Sequence, residues 1–492
     1  MFQQNLPYFH FEGMQVCTSW VPLDPVTRKT GSIISIARSS LASLPRTLRD
    51  ERPLPGMNPT RREPMSTPDV PMQTAPNLAQ PARLPFSFRA INAVGAIGRS
   101  IGLPLARLDE QSILEAGIRL AGGLEDFRTG PFFEPLKLLV ASLENEARLS
   151  FLGRNIARGS MIEATRNRLC LIADRKRYPE IARVQVAKPL VIVGGPRTGS
   201  TILQDLLACD PRSRAPRGWE AKEPSPPPDQ TNREPDPRIA RCEAQFENID
   251  KMVPSFRKMH PLDARNAQEC LVLTANSMVS GNYHAQFFVP GYYDHLERSC
   301  DWKGVLEFHR QQLQHLQWRS PGTHWVLKTG QHNLALDTLL DTYPDAGIIV
   351  THRDPVKIAT SFTSLSTLLR SMGSDHVDGR KVAADWCPRL AFMFDQAMRV
   401  RDSGKYPVER FYDMHFRDLV GNWRGVVERI YDQFGLDLRA DAVDAMGRFM
   451  QANKQGKHGQ HAYTPEQYGI DVATERERFR RYTDRYGIEA ES

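Results

Sequence analysis

The residues whose types and spacing best suit chemistry form one glycine-rich segment, Gly194-Gly195-Pro196-Arg197-Thr198-Gly199-Ser200-Thr201. The segment follows an apolar run, residues 189–193, and precedes a stretch with the spacing of an amphipathic helix. A buried strand, a tight loop and a helix start direct unpaired backbone N–H groups and the positive end of the helix dipole at one point. The segment therefore predicts a binding site for a phosphate or sulfate group.

This loop differs from the GxxxxGK[ST] loop of nucleotide hydrolases, in which a lysine follows the second glycine and reaches the β and γ phosphates. Gly194 and Gly199 have that spacing, but Ser200 takes the place of the lysine and Arg197 lies inside the loop. No aspartate after an apolar strand offers an obvious magnesium ligand, because Asp354 suits a helix cap better. These differences weaken the interpretation that the chain is a triphosphate hydrolase or kinase. A plain strand–turn–helix that binds no ligand stays an alternative.

Two residues further along the chain suit a second phosphate. Arg353 follows a predicted strand, residues 347–351, and Ser361 lies about two turns into the helix that Asp354 and Pro355 would begin. A guanidinium and a hydroxyl can hold one phosphate from two sides. Taken alone, an ordinary salt bridge and a helix-surface serine explain these residues better. Together with the glycine loop, a phosphate site explains them better.

The elements that must position these residues alternate between strand and helix. A strand that ends at Lys328 precedes a helix, and the strand at residues 347–351 precedes another. This order predicts an α/β fold with a P-loop-like parallel sheet flanked by helices and the ligand at the carboxyl edge of the strands. The pattern from residue 377 to about 431 predicts helices only.

The chain before the glycine loop divides into two parts. Ten prolines fall between Pro45 and Pro85, so we expect residues 1–85 to form a disordered tail. Residues 86–185 have a helical pattern and predict an additional N-terminal helical lobe, with Asp109 as a helix cap and Leu136 and Leu139 on one apolar face. The third predicted domain, residues 186–480, holds the sheet.

The composition limits the class of partner. The chain has 492 residues and a net charge of +7 at pH 7, without a long basic block, so we expect no nucleic-acid partner. No apolar run approaches the length of a membrane span and no signal-peptide pattern begins the chain. We therefore expect a cytoplasmic protein without an integral membrane segment.

The cysteines are scattered and none belongs to a CxxC pair: Cys17, Cys170, Cys209, Cys242, Cys270, Cys300 and Cys387. An odd number of cysteines without close pairs favours reduced thiols over a disulfide framework or a zinc site. We expect no metal site.

In combination, the two phosphate motifs resemble those of the sulfotransferases that use 3′-phosphoadenosine 5′-phosphosulfate, and among them the bacterial family with an N-terminal helical extension. The stretch Leu327-Lys328-Thr329-Gly330-Gln331-His332 is similar to the LKxPxH element of that family, with Gly330 in place of the proline. The stretch Gly456-Lys457-His458-Gly459 is loosely similar to a C-terminal loop that closes over the nucleotide. The resemblance covers residues 86–480.

The resemblance implies a role for each matching residue. Arg197 and the loop N–H groups would hold the 5′-phosphosulfate, Arg353 and Ser361 the 3′-phosphate, and Lys328 would neutralise the bridging oxygen of the leaving phosphate. By analogy with phosphoryl transfer, positioning and cationic stabilisation supply most of the catalysis, and no metal is needed. The implied cofactor-binding set is Gly195, Pro196, Arg197, Thr198, Gly199, Ser200, Thr201, Arg353, Ser361 and Lys457.

Two residues are candidates for the base that accepts the proton of the acceptor. Glu220 follows the loop at the distance where several sulfotransferase branches carry a catalytic glutamate, and Trp219 beside it could raise its pKa by desolvation. His332 lies where other branches carry a catalytic histidine, and an imidazole titrates near neutral pH. We favour Glu220 as base, with His332 orienting the acceptor or sharing the role.

The acceptor is a hydroxyl or amine that the sequence does not identify, on a small molecule, glycan or lipid. The aromatic content slightly favours a partly apolar acceptor. Two alternatives to a sulfotransferase stay open: a P-loop kinase or NTPase, and a non-catalytic nucleotide-binding protein of the same fold. The oligomeric state is open as well.

Overall fold

The computed structural model describes residues 84–491, apart from residues 104, 129, 233, 253–261 and 454–462. All but the last two residues of the predicted tail lie outside the described residues, and so does Lys457, which the resemblance assigns to the nucleotide. Among the residues described, no helix is both long enough and apolar enough to cross a membrane.

A five-stranded sheet lies at the centre of the fold, with the strand order β2-β3-β1-β4-β5 and parallel pairing throughout. The strands are β1 (Leu190–Gly194), β2 (Ser213–Arg214), β3 (His324–Lys328), β4 (Gly347–His352) and β5 (Phe411–His415). β1, β3 and β4 are buried along their whole length, which is typical of parallel strands covered on both faces. Their carboxyl ends therefore meet at one edge, with Ile192 beside Lys328 and Gly194 beside Thr351.

Helices precede, connect and follow the strands. Before the sheet come α1 (Phe86–Ser100), α2 (Glu110–Leu120), α3 (Phe133–Asn145) and α4 (Phe151–Arg177). Between β1 and β3 are α5 (Ser200–Leu207), α6 (Gly218–Lys222), α7 (Pro237–Met252), α8 (Cys270–Thr274), α9 (Gly281–Gln286), α10 (Pro290–Arg298) and α11 (Trp302–Gln317). After β3 are α12 (Leu336–Thr342), α13 (Pro355–Gly373), α14 (Gly379–Asp402), α15 (Phe416–Gly421), α16 (Trp423–Gln433), α17 (Ala440–Ala452), α18 (Val472–Arg478) and α19 (Arg480–Tyr486).

Short 3-10 helices complete the connections: Pro179–Arg183, Ala275–Ser277, Gly330–Ala335, Val408–Arg410 and Pro465–Tyr468.

Alternate side chains of the strands pack on opposite faces of the sheet, as the period of two along a strand requires. Val191 and Val193 of β1 belong to one apolar core with α11 and α12. Ile192, between them, belongs to a second core with α5, α16 and α17. The sheet is therefore the middle of three layers, and the predicted fold class, a P-loop-like parallel sheet flanked by helices, is confirmed.

The predicted N-terminal helices are also present. Asp109 caps α2 by accepting a hydrogen bond from the backbone N–H of Ser112 at 2.9 Å, and Leu136 and Leu139 of α3 are fully buried. Residues of α2, α3 and α4 share one apolar core with Tyr292 and other residues that follow β1. The additional helical lobe is confirmed, while the domain boundaries at residues 85 and 185 stay predictions.

Part of the helix-only prediction for residues 377–431 is wrong, because β5 lies within it. β5 pairs with β4 over five positions, from Ile348 beside Phe411 to His352 beside His415. Within this edge strand Phe411 and Met414 are buried and Asp413 is exposed, so the segment lacks the continuous apolar run of the central strands. Pairing with β4, rather than local pattern, makes it a strand.

Candidate functional site

The glycine loop connects β1 to α5 at the carboxyl edge of the sheet. Gly199 precedes the helix with a φ of 82°, and a Cβ there would lie 2.8 Å from the ring of Phe416. Arg197 also has a positive φ, 66°, which costs a residue other than glycine about 1–3 kcal/mol. The loop accepts this strain while it presents the start of α5, whose first N–H groups have no partner within the helix and favour an anion.

The loop side chains differ in their exposure. Thr198 is fully buried; its hydroxyl donates to the backbone oxygen of Gly195 at 2.8 Å and lies 2.5 Å from the hydroxyl of Thr351 on β4. Its side chain therefore fastens the loop to the sheet. Thr201 is exposed, and Pro196 and Ser200 are partly exposed at the loop surface. Gly195 approaches the core, since a Cβ on it would lie 2.8 Å from Phe394.

The structure brings together the residues predicted for two different phosphates. Arg353, directly after β4, donates from Nη1 to the backbone oxygen of Arg197 at 3.1 Å. Arg197 Nε donates to Ser361 Oγ on α13 at 3.3 Å. The guanidinium of Arg353 lies over the ring of Phe416, at 4.3 Å from its centroid. Three hydrogen-bonding side chains from the loop, β4 and α13 thus share one edge of the sheet.

A carboxylate holds the guanidinium of Arg353. Its Nε donates to Glu491 Oε1 at 2.9 Å and its Nη2 donates to Glu491 Oε2 at 2.7 Å. The backbone N–H of Glu491 donates to Asp354 at 2.8 Å, which fixes the segment against the start of α13. A phosphate would use the same fork of N–H donors. A phosphate that binds Arg353 through this edge would therefore displace Glu491.

Lys328 links the end of β3 to the glycine loop. Its Nζ donates to Thr201 Oγ1 at 3.0 Å and to Glu269 Oε1 at 2.5 Å. The lysine side chain is only 4% exposed and that of Glu269 is 24% exposed. The ammonium group is thus positioned at the start of α5, where the loop's N–H groups also point.

Two carboxyl groups near Lys328 have no role in the sequence prediction. Glu269 precedes α8 and lies in a stretch whose residues carry no motif. Asp205 lies on α5, and burial raises its pKa to about 6, while the charge of Lys328 lowers it. Burial next to a cation is a common setting for catalytic carboxyl groups. Only the long-range contact with Lys328 identifies Glu269, and no sequence motif predicts that contact.

Gly330 and Asn333 allow the segment after β3 to pack against Gly194, where the glycine loop begins. A Cβ on Gly330 would lie 2.8 Å from the backbone oxygen of Gly194, so glycine permits the close approach at this position. Asn333 Nδ2 donates to the same oxygen at 3.2 Å. The 3-10 helix after β3 is therefore packed directly on the end of β1.

Glu220, the favoured base in the sequence prediction, is 1% exposed and fully engaged in local structure. Its Oε1 accepts from Arg214 Nη2 at 3.1 Å, and its Oε2 accepts from the backbone N–H of Arg217 at 3.0 Å. The second contact is the glutamate half of a capping box at the start of α6; the side chain of Arg217 has no acceptor for the other half. Both oxygens thus stabilise α6 and a buried ion pair, and the catalytic role of Glu220 stays a prediction.

His332 lies in the 3-10 helix after β3 and is 1% exposed. Burial, together with the neighbouring His309, lowers its pKa to about 3, so the imidazole is neutral at pH 7. Its Nε2 has no hydrogen-bond partner among the described residues. His332 is therefore a weak base in this environment, and its role in catalysis stays a prediction.

The chain is similar to known proteins in both sequence and structure. The sequence model of the sulfotransferase family matches residues 189–440, a range that contains the glycine loop, Lys328, Arg353 and Ser361. The omega-hydroxy-beta-dihydromenaquinone-9 sulfotransferase Stf3 of Mycobacterium bovis is 25% identical over 318 residues, which cover 61% of this chain and 75% of that protein.

Two solved structures are similar over most of the chain. Sulfotransferase STF1 from Mycobacterium tuberculosis H37Rv has 31% identity and a TM-score of 0.68, covering 75% of this chain and 98% of that one. Sulfotransferase STF9 from Mycobacterium avium has 25% identity and a TM-score of 0.71, covering 78% of this chain and 98% of that one.

Proposed function

Because the chain belongs to the sulfotransferase family and is an enzyme of that class, we propose that 3′-phosphoadenosine 5′-phosphosulfate is its donor and a hydroxyl or amine its acceptor. One observation carries the proposal. Lys328 reaches Thr201 at the start of α5, while Arg353 reaches Arg197 in the same loop, so cations lie on two sides of one anion-binding turn. A nucleotide with separate 5′ and 3′ anionic groups matches this arrangement.

The donor-binding roles follow from charge and position. The 5′-phosphosulfate would bind the N–H groups of the glycine loop and the start of α5, with Arg197 adding a cation. Arg353 and Ser361 would bind the 3′-phosphate, since a guanidinium fork binds phosphate through two N–H donors. Lys457, outside the described residues, stays a predicted contact from the C-terminal loop.

The reaction needs a cation at the leaving group and a base at the acceptor. The acceptor oxygen or nitrogen bonds to sulfur as the bond between sulfur and the bridging oxygen breaks, and adenosine 3′,5′-bisphosphate leaves. Lys328 would stabilise the charge that develops on that oxygen. The proton of the acceptor would pass to Glu269, whose carboxylate lies 2.5 Å from Lys328 and is partly exposed.

Glu269 is preferred to the two earlier candidates because a base must reach its substrate. Both oxygens of Glu220 are hydrogen-bonded within a buried cap, and His332 is buried with a lowered pKa. Glu220 and His332 remain candidates for the base, and substitution of each residue in turn would distinguish them from Glu269.

For the acceptor, we propose a hydroxyl group on an apolar molecule. The relative Stf3 is named for a menaquinone derivative with a hydroxyl group, and it is 25% identical over 61% of this chain. The aromatic content of the chain agrees with a partly apolar acceptor.

Calorimetry with adenosine 3′,5′-bisphosphate tests the donor. The wild-type protein should bind it at micromolar concentration or tighter. Arg353→Ala should weaken binding about 10- to 100-fold, since a charge-assisted hydrogen bond contributes roughly 1.5–3 kcal/mol. Arg417→Ala is the matched control, because Arg417 is exposed and pairs only with Glu489 and Asp418 among the charged partners described.

Absence of binding by the wild-type protein, or equal binding by the Arg353→Ala variant, would contradict the proposal. Magnesium-dependent ATP turnover that is unaffected by this substitution would instead favour a P-loop NTPase. Tight bisphosphate binding without sulfation of any acceptor in cell extracts would favour a non-catalytic protein.

A further inference from the structure

Three side chains meet in the interior, beside the Lys328–Glu269 pair, and none of them is proposed to bind the donor. They are Cys270 at the start of α8, His309 on α11 and His332 after β3. All three are buried, and one possible metal-ligand atom from each lies within 4.8 Å of the other two. A thiol and two imidazoles, drawn from three separate segments, thus face one another.

The two imidazoles are incompletely satisfied. Nε2 of His309 and Nε2 of His332 are both buried without a hydrogen-bond partner among the described residues. The two rings meet edge to face, with centroids 5.8 Å apart. A buried polar atom without a hydrogen-bond partner destabilises the folded state, so two such atoms at one point need an explanation.

The surroundings of His309 orient it as a ligand. Its Nδ1 lies 2.7 Å from the hydroxyl of Tyr343, which is itself buried. If Nδ1–H donates to that oxygen, the lone pair belongs to Nε2, the unpaired atom. A second hydrogen bond of this kind commonly fixes the tautomer of a metal-binding histidine.

We propose that Cys270, His309 and His332 bind a thiophilic transition-metal ion, with Zn²⁺ as the main candidate. A thiolate with two imidazoles is a ligand set that zinc accepts, with water as a fourth ligand. Zinc bonds of roughly 2.3 Å to sulfur and 2.0–2.1 Å to nitrogen place tetrahedral ligand atoms about 3.5 Å apart. The three side chains would therefore move together by a small amount, and the thiol proton would pass to solvent.

Such an ion would tie together the two segments that carry the Lys328–Glu269 contact. Cys270 directly follows Glu269, and His332 lies four residues after Lys328. The ion would fix the start of α8 to the 3-10 helix after β3. This inference does not rest on the proposed donor, so nucleotide binding and metal binding can fail separately.

Metal analysis of the intact protein is the first test. Protein produced in zinc-supplemented medium and dialysed against a chelator should retain about one zinc ion per chain, because all three protein ligands are buried and a chelator cannot reach them readily. Replacing zinc by Co²⁺ should give a thiolate charge-transfer band in the near ultraviolet. Cys270→Ser should lose both signals, whereas Cys387→Ser, which removes another buried cysteine, should keep them.

A protein without zinc or other transition metals after such production, and without a cobalt band, would overturn the proposal and leave a buried water as the partner of the two imidazoles. A Cys270→Ser variant with the metal content of the wild-type protein would overturn it as well.

Tyr343→Phe provides a test that does not remove a ligand. The substitution deletes the hydroxyl beside His309 Nδ1 and keeps the ring. Loss of such a second hydrogen bond typically weakens metal binding about 10- to 100-fold. Competition with a chromophoric chelator should show this loss for Tyr343→Phe. Tyr406→Phe, which removes an exposed hydroxyl bonded to Asp341, should bind as the wild-type protein does. Equal affinity of the Tyr343→Phe and wild-type proteins would contradict the assignment of His309 as a ligand.

Discussion

At the scale of single residues, the contact between Lys328 and Glu269 brings together a cation and a carboxylate that could act as a base. The ammonium group is almost completely buried, while the carboxylate is partly open to solvent. In sulfuryl transfer the first group would stabilise the leaving oxygen and the second would accept a proton. Because they come from β3 and from the segment before α8, each can be substituted without removing a residue of the glycine loop.

We expect Glu269→Gln to lower kcat about 10²- to 10⁴-fold, which is the usual contribution of a general base. The affinity for adenosine 3′,5′-bisphosphate should change little, because the amide keeps an oxygen that can face Lys328. Steady-state kinetics and calorimetry measure the two effects. Glu180→Gln, at an exposed position, is the control. If Glu220→Gln alone lowers kcat to this extent, Glu220 is the base and our proposal for Glu269 is wrong.

Glu491 gives a second prediction for a single residue, because its carboxylate occupies the fork of Arg353 that a 3′-phosphate would use. Glu491→Gln should strengthen binding of adenosine 3′,5′-bisphosphate by up to about 5-fold, since a partly exposed ion pair contributes roughly 0.2–1 kcal/mol. Calorimetry should show no such gain for Glu489→Gln, whose carboxylate pairs with Arg417. Unchanged or weaker binding by the Glu491→Gln variant would show that Glu491 does not compete with the phosphate.

At the scale of elements, Asp354 joins three segments at the start of α13. Its carboxylate accepts from the backbone N–H of Val356 at 2.9 Å, from Arg476 of α18 at 3.2 Å and from the backbone N–H of Glu491 at 2.8 Å. The residue is 1% exposed. A helix cap that also holds a second helix and a later segment should contribute more than an isolated cap.

Asp378→Ala, which removes the exposed cap of α14, is the control for Asp354→Ala. Loss of a cap alone costs about 0.5–2 kcal/mol. Asp378→Ala should fall in that range, whereas Asp354→Ala should cost about 2–4 kcal/mol, because it also leaves the backbone N–H of Glu491 and the partly exposed Arg476 without their partner. Urea unfolding at neutral pH measures both. Equal costs would show that the contacts with Arg476 and Glu491 add nothing to stability.

At the scale of the whole molecule, several histidines are buried in neutral form. Burial lowers the pKa of His284 to about 4, against the opposing effect of Asp385. Burial also lowers the pKa of His315 to about 4, against the hydrogen bond to the backbone oxygen of Pro224. In the unfolded chain a histidine titrates near its ordinary value of about 6.5. Between about pH 4 and pH 6.5, the unfolded state therefore binds more protons than the folded state.

The sign of the pH dependence follows from this difference. The contribution of these histidines to the free energy of unfolding should be constant above about pH 7 and should fall as the pH decreases from about 6.5 to 4. A single histidine of this kind contributes up to about 3 kcal/mol to the loss. Urea unfolding at a series of pH values should show a smaller loss for His315→Gln than for the wild-type protein. A loss of the same size in both would mean that His315 is not held neutral.

The sequence alone determined the fold class and supplied most of the residues that we propose for the donor. The glycine loop, the cap at Asp354 and the position of Arg353 after a strand are local signals, because each depends on neighbours a few residues away. The rule that parallel strands end at one edge then puts Lys328 and Arg353 beside the loop.

Tertiary structure decided the partners of these residues. Glu269 is 59 residues from Lys328 and Glu491 is 138 residues from Arg353, and no spacing rule relates such positions. The same holds for Cys270, His309 and His332, whose sequence contains no metal-binding motif. The edge strand β5 likewise depends on pairing with β4. Long-range contacts follow from how helices pack on the sheet, so local propensity cannot specify which distant side chains meet.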